Sequence, residues 1–202
     1  MVNDSEREQR HRNRMKRKKS VVDERIANAD KEQGLLLVLT GNGKGKSSSA
    51  FGMVARSLGH GMQVAVAQFI KGRNDAGEEL FFRQHPHVNW QVLGEGFTWE
   101  TQNRARDIKT AQAGWDVVKG MLCDPSVGLV VLDELTYPIK YGWLELDTIL
   151  ADLKARPPMQ HVIITGRAAP KGLCEAADTV TELADLKHAF RAGVCAQKGI
   201  DL

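Results

Sequence analysis

A glycine-rich segment at residues 40–48 contains the residue types that bind a chain of phosphates. Glycines let the backbone curl so that its N–H groups point inward as donors to an anion. Lys46 adds a mobile ammonium group, and Ser47 adds a hydroxyl that can bind Mg²⁺. We therefore expect ATP to bind here. The residues expected to contact its phosphates are Gly41, Asn42, Gly43, Lys44, Gly45, Lys46, Ser47 and Ser48.

The spacing within this segment departs from the usual phosphate-loop pattern. That pattern places four residues between its first glycine and the Gly-Lys pair. Thr40 occupies the place of the first glycine, Gly41 lies one residue too close, and Lys44 adds a further positive charge. The sequence predicts phosphate binding, but it does not fix the order of the phosphates along the loop.

Two acidic residues, Asp133 and Glu134, end an apolar run at residues 129–132. Acidic residues at such a place hold Mg²⁺, directly or through water, or orient a nucleophile. The predicted metal ligands are therefore Ser47, Asp133 and Glu134. Arg167 follows another apolar run, and its two interpretations, a phosphate or ribose contact and a structural ion pair, both stay open.

A glycine-flanked segment at residues 94–100 contains two large aromatic residues, Phe97 and Trp99. They could form an apolar wall for a flat, bulky ligand, or at least one ring could belong to the core.

His85 and His87 lack further ligands at metal-site spacing, so we interpret them as loop residues. His188 could meet a substrate or cap a helix.

Continuous apolar runs alternate with helical patterns after residue 34. Short apolar runs of this kind are typical of strands buried on both faces, and their alternation with helices indicates a parallel sheet. The predicted strands lie at residues 35–39, 64–67, 88–93, 129–132, 162–164 and 179–181. The predicted helices lie near residues 48–58, 77–84, 103–122 and 145–155. The sequence thus predicts an α/β fold of the P-loop NTPase (RecA-like) type, with a mostly parallel sheet of about six strands and helices on both faces.

Ligands of such sheets bind beyond the carboxyl ends of the strands. The segments that follow the apolar runs are therefore the candidates for the site, at residues 40–48, 68–73, 94–102, 133–137 and 165–167. No Gly-x-Ser-x-Gly motif and no convincing Cys/His dyad occurs in the 202 residues. We therefore expect the nucleophile to belong to a substrate.

The first 33 residues differ in composition from the rest of the chain. They hold ten Lys/Arg and seven Asp/Glu, which accounts for the whole net charge of +3, because the remaining residues hold eighteen of each. We expect residues 1–33 to form a basic, partly helical arm and residues 34–202 to form the nucleotide-binding domain. The arm has no aromatic residue to stack on bases, so nucleic acid is a less favoured partner than a solvated or lid role.

The chain has no apolar stretch long enough to span a membrane and no apolar leader at its N-terminus. Its three cysteines are far apart and suit a reducing compartment. The expected location is the cytoplasm.

Six segments taken in order resemble one family, the P-loop ATP:corrinoid adenosyltransferases, also called cob(I)yrinic acid a,c-diamide adenosyltransferases. These are Gly-Asn-Gly-Lys-Gly-Lys-Ser, Gln-Phe-Ile-Lys-Gly, Gly-Phe-Thr-Trp-Glu-Thr-Gln, Leu-Asp-Glu-Leu-Thr-Tyr, Val-Ile-Ile-Thr-Gly-Arg and Lys-His-Ala-Phe-Arg-Ala-Gly. The resemblance covers about residues 20–202. It implies that a Co(I) corrinoid attacks C5′ of ATP and that tripolyphosphate leaves, in adenosylcobalamin biosynthesis or salvage.

The resemblance also implies roles for individual residues. The glycine-rich segment at residues 40–48, called the phosphate loop below, would hold the triphosphate with the nucleotide seated in reverse. Arg56 and Glu134 would lie near the nucleoside. Phe97 and Trp99 would face the corrin and help exclude its lower axial ligand, which eases reduction of Co(II) to Co(I). The metal would be Mg²⁺, with Mn²⁺ as an alternative. Ser47 and Ser48 stand where relatives often have two threonines.

The implied partners are a corrinoid such as cobalamin, cobinamide or cobyrinic acid a,c-diamide, an electron-donating reductase or flavoprotein, and a second copy of the chain in a homodimer. The N-terminal arm would cover the active site.

The alternative function is a RecA-like ATPase stimulated by nucleic acid, suggested by the same loop and by the seven basic residues between Arg10 and Lys19. A small-molecule kinase would need an acceptor base and an arginine-rich lid, and neither is clear in the sequence.

Overall fold

The structure is a computed structural model that describes residues 4–70, 76–94 and 103–201. The chain divides into two compact units, Met1–Glu32 and Gln33–Leu202. In the first unit, helix α1 spans Asp4–Ala27 and buries none of its residues. Its first turn is acidic and its last turn contains Arg25, an arrangement that suits the helix dipole.

The second unit is built on one six-stranded sheet. Its strands are β1 (Leu36–Thr40), β2 (Gln63–Gln68), β3 (Val88–Val92), β4 (Val127–Asp133), β5 (His161–Thr165) and β6 (Thr179–Glu182). The spatial order is β3-β2-β4-β5-β1-β6, and each neighbouring pair is parallel. β5 therefore separates β1, which leads into the phosphate loop, from β4, which ends in the acidic pair.

Alternate residues of the central strands enter two apolar cores on opposite faces of the sheet, as the period of a strand requires. On one face Ala65 and Ala67 pack with Trp115. On the other face Val64 and Val66 belong to the core that contains Phe51. The predicted fold class, α/β with a parallel sheet of six strands and helices on both faces, is confirmed.

Seven α-helices and a 3₁₀ turn are described. After α1 they are α2 (Lys46–Gly59), α3 (Gly77–Phe82), α4 (Arg104–Cys123), α5 (Thr136–Lys140), α6 (Leu146–Ala155), α7 (Lys171–Ala176) and the 3₁₀ turn Ala189–Ala192. α2 and α3 cover the face that holds Val64, and α4, α6 and α7 cover the other. None of the helices in the described ranges has the length and hydropathy of a membrane span.

Three short elements were not predicted. α5 and α7 have five and six residues, too few to show a helical period, and α5 contains Pro138. The 3₁₀ turn has four residues. The strand predicted at residues 179–181 is β6, which lies at an edge of the sheet and exposes all four of its residues.

Candidate functional site

The carboxyl ends of three central strands bring the predicted polar residues together. β1 continues through residues 41–45 into α2, β4 ends at Asp133, and β5 ends at Thr165. Because these strands are parallel and neighbouring, the segments that follow them meet at the same edge of the sheet. This meeting point is what the sequence pattern predicted for a ligand site.

Lys46 is folded back into the phosphate loop. Its Nζ donates to the carbonyl oxygen of Gly41 at 2.9 Å and to that of Gly43 at 2.8 Å. Burial lowers the pKa of the Lys46 ammonium, the charge of Arg167 lowers it further, and the carboxylates of Glu134 and Asp133 oppose the shift. An ammonium group buried in this way is prepared to interact with an anion that enters the loop.

The loop is packed against the chain that follows β6. The Gly43 amide donates to the Leu183 carbonyl at 2.7 Å, and the Leu183 amide donates to the Thr40 carbonyl at 2.9 Å. A Cβ at Gly41 would lie 2.4 Å from the Leu183 carbonyl oxygen, where φ is also +96°. Glycine is therefore required at position 41 by this close backbone contact as well as by the curvature of the loop.

The Asp133 carboxylate ties the loop to the sheet. Its Oδ1 accepts from Ser47 Oγ at 2.7 Å and from Thr165 Oγ1 at 2.7 Å. Its Oδ2 accepts from Gln68 Nε2 at 2.9 Å. Strands β2, β4 and β5 and the first turn of α2 thus all contribute to one buried hydrogen-bond network.

Glu134 follows Asp133 in the left-handed region, with φ of 62°. Its amide donates to Thr165 Oγ1 at 3.0 Å, which fixes the turn. A side chain other than glycine in this region is strained, and such strain is concentrated at functional sites. Burial and the Glu134 carboxylate raise the pKa of the neighbouring Tyr137 hydroxyl.

A cleft of ≈ 620 Å³ opens over the loop, a volume typical of a small-molecule site. Of the residues predicted from the sequence, those that line it are Asn42, Gly43, Lys44, Gly45, Lys46, Ser47, Ser48 and Glu134, together with Arg167 and His188. Gly41 and Asp133 lie behind this surface and support it through Lys46 and Ser47.

Arg56 is not brought to this cleft. It is exposed in the last turn of α2, ten residues after Lys46, which corresponds to about 15 Å along a helix axis. Its role near the nucleoside stays a prediction.

The comparisons with known proteins agree with these motifs. The family described as ATP:corrinoid adenosyltransferase BtuR/CobO/CobP matches residues 32–202. The chain belongs to this family. A second family description, Cob(I)alamin adenosyltransferase N terminal, matches residues 1–26.

Several relatives that are named corrinoid adenosyltransferases align with this chain over nearly their whole length. The corrinoid adenosyltransferase of Pseudomonas aeruginosa is 64% identical over 197 residues, which cover 97% of each chain. The corrinoid adenosyltransferase CobA of Salmonella typhimurium is 50% identical, covering 96% of this chain and 98% of the relative. A Sinorhizobium relative is 42% identical, covering 95% and 91%. The protein is therefore an enzyme that adenosylates a corrinoid with ATP.

The aromatic residues and the histidines singled out in the sequence differ in what the structure describes of them. Phe97 and Trp99 lie outside the described residues. His85 Nδ1 accepts from the His87 amide at 3.2 Å within a turn, and no group of three His, Cys, Asp or Glu residues in the described ranges could hold a metal. His188 both lines the cleft and caps the 3₁₀ turn, where its Nδ1 accepts from the Phe190 amide at 3.2 Å.

The sequence interpretation missed the contribution of the last residues to the site. Gly199, Ile200 and Asp201 line the cleft, and Asp201 Oδ1 lies 2.8 Å from Lys44 Nζ. No motif identifies them. Gln68 and Thr165 stood in the predicted segments after β2 and β5, but their bonds to Asp133 depend on the strand order, which the sequence does not reveal.

Proposed function

We propose that the enzyme transfers the 5′-deoxyadenosyl group of ATP to the cobalt of a Co(I) corrinoid and releases tripolyphosphate. Cobalt attacks C5′, the C5′–O bond breaks with its electron pair leaving on the tripolyphosphate, and cobalt passes from Co(I) to Co(III). The observation that supports this most is the cleft lined by Lys46, Ser47 and the loop amides. Such a site holds a polyanionic leaving group, while the nucleophile comes with the second substrate.

The donors at the loop suit Mg²⁺, with Mn²⁺ as an alternative. Mg²⁺ prefers oxygen ligands, and at such sites one or two carboxylates and several waters hold it beside the phosphates of the substrate. Ser47 and Glu134 line the cleft, and Asp133 accepts a hydrogen bond from the Ser47 hydroxyl. The bound ion would neutralise charge that develops on the leaving phosphates. We propose Ser47, Asp133 and Glu134 as the residues that hold it.

The remaining roles come from the family resemblance. We propose that Phe97 and Trp99 form the apolar wall against the corrin and that Arg56 and Glu134 serve the nucleoside. We further propose a cytoplasmic homodimer in which the basic arm, residues 1–33, covers the active site formed by residues 34–202. A reductase or flavoprotein would supply the electron that converts Co(II) to Co(I).

Product analysis tests the reaction. With ATP, Mg²⁺ and a chemically reduced corrinoid, we expect a light-sensitive alkylcobalt product and one tripolyphosphate for each corrinoid. Release of ADP and phosphate would contradict the proposal. ADP release that increases with added nucleic acid would favour the RecA-like alternative.

The corrin-facing role of Trp99 has a separate test. Because the proposed wall excludes the lower axial ligand and so eases reduction, we expect Trp99→Ala to slow turnover from a Co(II) corrinoid and to spare turnover from pre-reduced Co(I). Both rates can be measured by the absorbance of the alkylated product. Equal loss in the two assays would assign Trp99 a structural role instead.

A further inference from the structure

Three hydrogen bonds fix the Asp133 carboxylate, and the one from Gln68 has no role in the phosphate loop itself. Gln68 Nε2 donates to Asp133 Oδ2 at 2.9 Å. Gln68 is 1% exposed and Asp133 is 2% exposed, so water does not replace a lost partner easily. An unpaired buried carboxylate oxygen is costly, so this bond constrains how the carboxylate is oriented.

The orientation of the Gln68 amide is determined by Trp90. The indole N–H is a donor only, and it points at Gln68 Oε1 at 3.0 Å. The oxygen of the amide must therefore face Trp90, which leaves the NH₂ group to face Asp133. Glutamine oxygen and nitrogen are assigned from such networks, and here the assignment has one consistent solution.

Trp90 is itself held by aromatic packing. Its ring lies nearly parallel to that of Phe82, with centroids 6.3 Å apart and planes 10° apart. The ring of Phe51 is tilted against it at 5.2 Å. Phe51 lies on α2, the helix that begins with Lys46 and Ser47, so this cluster links both sides of the network.

The orientation of the Asp133 carboxylate affects the cleft through Ser47, which lines it. Its hydroxyl proton is donated to Asp133 Oδ1 at 2.7 Å, which leaves the oxygen lone pairs for a cation in the cleft. Thr165 shares the same Oδ1 at 2.7 Å, so a rotated carboxylate would disturb both hydroxyls. Partners of this kind orient the groups that hold a metal ion and tune its affinity.

We propose that Gln68 is a positioning residue that, oriented by Trp90, holds the Asp133 carboxylate so that the Ser47 hydroxyl is prepared for the divalent cation of bound ATP. This inference rests on the proposed ATP and Mg²⁺ binding. It assigns a role to Gln68 at the end of β2 and to the buried Trp90, although neither residue lines the cleft.

Calorimetric titration with ATP tests the proposal, with Mg²⁺ present and with the metal removed by a chelator. Gln68→Met keeps the length of the side chain and removes the donor, so we expect the gain in ATP affinity from Mg²⁺ to fall about 10- to 100-fold. The affinity for metal-free ATP should not change. Trp90→Phe keeps one aromatic ring and removes the N–H together with part of the indole, and a smaller loss in the same direction is expected.

Gln91→Met is the matched control, because Gln91 is the exposed neighbour of Trp90 on β3 and its side chain bonds only to Asn89 among the described residues. It should behave like the unchanged chain. The proposal is overturned if Gln68→Met keeps the full Mg²⁺ gain, or if it loses metal-free and Mg²⁺-dependent binding to the same extent. Should Gln68→Met fail to fold, Trp90→Phe decides by the same criteria.

The two proposals fail in different ways. If the unchanged chain binds ATP without any gain from Mg²⁺, the metal part of the proposed function is wrong and the role of Gln68 is overturned with it. If the unchanged chain shows the gain and both variants retain it, only the role of Gln68 is overturned.

Discussion

At the scale of single residues, Lys46 is the group on which the proposed phosphate site depends most. In the structure its ammonium is bound by the carbonyls of Gly41 and Gly43, so it stabilises the curvature of the loop before any ligand enters. Among the described residues two of its three ammonium donors are used. The same side chain can therefore shape the loop and bind an anion.

We expect Lys46→Ala to abolish measurable ATP binding and to leave the sheet folded. The variant loses the charge nearest the phosphates, and charge-assisted bonds of this kind contribute about 1.5–3 kcal/mol each. Calorimetry measures the binding, and circular dichroism checks the fold. Lys171→Ala is the control, because that side chain is exposed and pairs only with Glu175 among the described residues. Unchanged nucleotide affinity in Lys46→Ala would refute the assignment of the loop.

The lowered pKa of Lys46 predicts a pH dependence of binding. In the free protein Lys46 loses its proton below the ordinary lysine pKa of 10.5, whereas bound phosphates favour the charged form. Binding should therefore take up a proton, and ATP affinity should fall, as the pH rises toward that value. Calorimetry in buffers of different ionisation enthalpy measures the uptake. No uptake and a constant affinity across this range would contradict the prediction.

At the scale of elements, the phosphate loop and the segment after β6 act as one unit. Gly43 donates to the Leu183 carbonyl, and an added Cβ there would lie 2.5 Å from the Ala184 carbonyl oxygen. β6 is a weak, exposed edge strand, but its extension supports the loop. The position of the loop therefore depends on the segment after β6, a strand whose four residues are all exposed.

We expect Gly43→Ala to lower the free energy of unfolding by about 1–3 kcal/mol, the usual effect of overpacking, and to weaken ATP binding because the loop must move. Gly52→Ala is a matched control in α2, where an added Cβ meets nothing within 4 Å. It should stabilise the protein by about 0.5–1 kcal/mol. Denaturant unfolding measures both changes. Equal stability of the two variants would contradict the close contact seen here.

The elements show which parts of the fold and site could be predicted. The predicted strands match all six strands of the sheet. The central strands are continuous apolar runs because they are buried on both faces, whereas β6 is exposed. The glycine-rich loop predicted the loop residues that line the cleft. The sequence does not predict α5, because this helix has only five residues and contains Pro138. The distance of Arg56 from the cleft depends on the direction of α2, and the bond from Gln68 to Asp133 depends on β2 lying beside β4.

At the scale of the whole second unit, the last described residues return to the first loop. Asp201 pairs with Lys44 at 2.8 Å, and both residues line the cleft. The hydrogen bond from Lys44, followed by the one from the Gln197 amide, lowers the pKa of the Asp201 carboxyl. A carboxylate at this place has the same sign of charge as the phosphates and neutralises a lysine that would otherwise attract them.

We therefore expect Asp201→Asn to raise ATP affinity. The pair is partly exposed, so the effect should be modest, about two- to fivefold. Asp185→Asn is the control, because Asp185 pairs with Arg191 at 2.6 Å and does not line the cleft. Calorimetric titration compares the two. Lower affinity in Asp201→Asn would show that the carboxylate assists ATP binding instead of competing with it.

The pairing of β1 has a consequence for how the protein is made. Leu36 pairs with Val162 and Leu37 pairs with Thr179, so both neighbours of the strand before the phosphate loop leave the ribosome long after it does. Until then an apolar strand is without partners, a condition that favours aggregation. A nascent chain that stops before β5 carries every glycine and lysine of the loop. It lacks both strands that flank β1 and the segment after β6 against which the loop is packed, so we expect it not to bind a nucleotide.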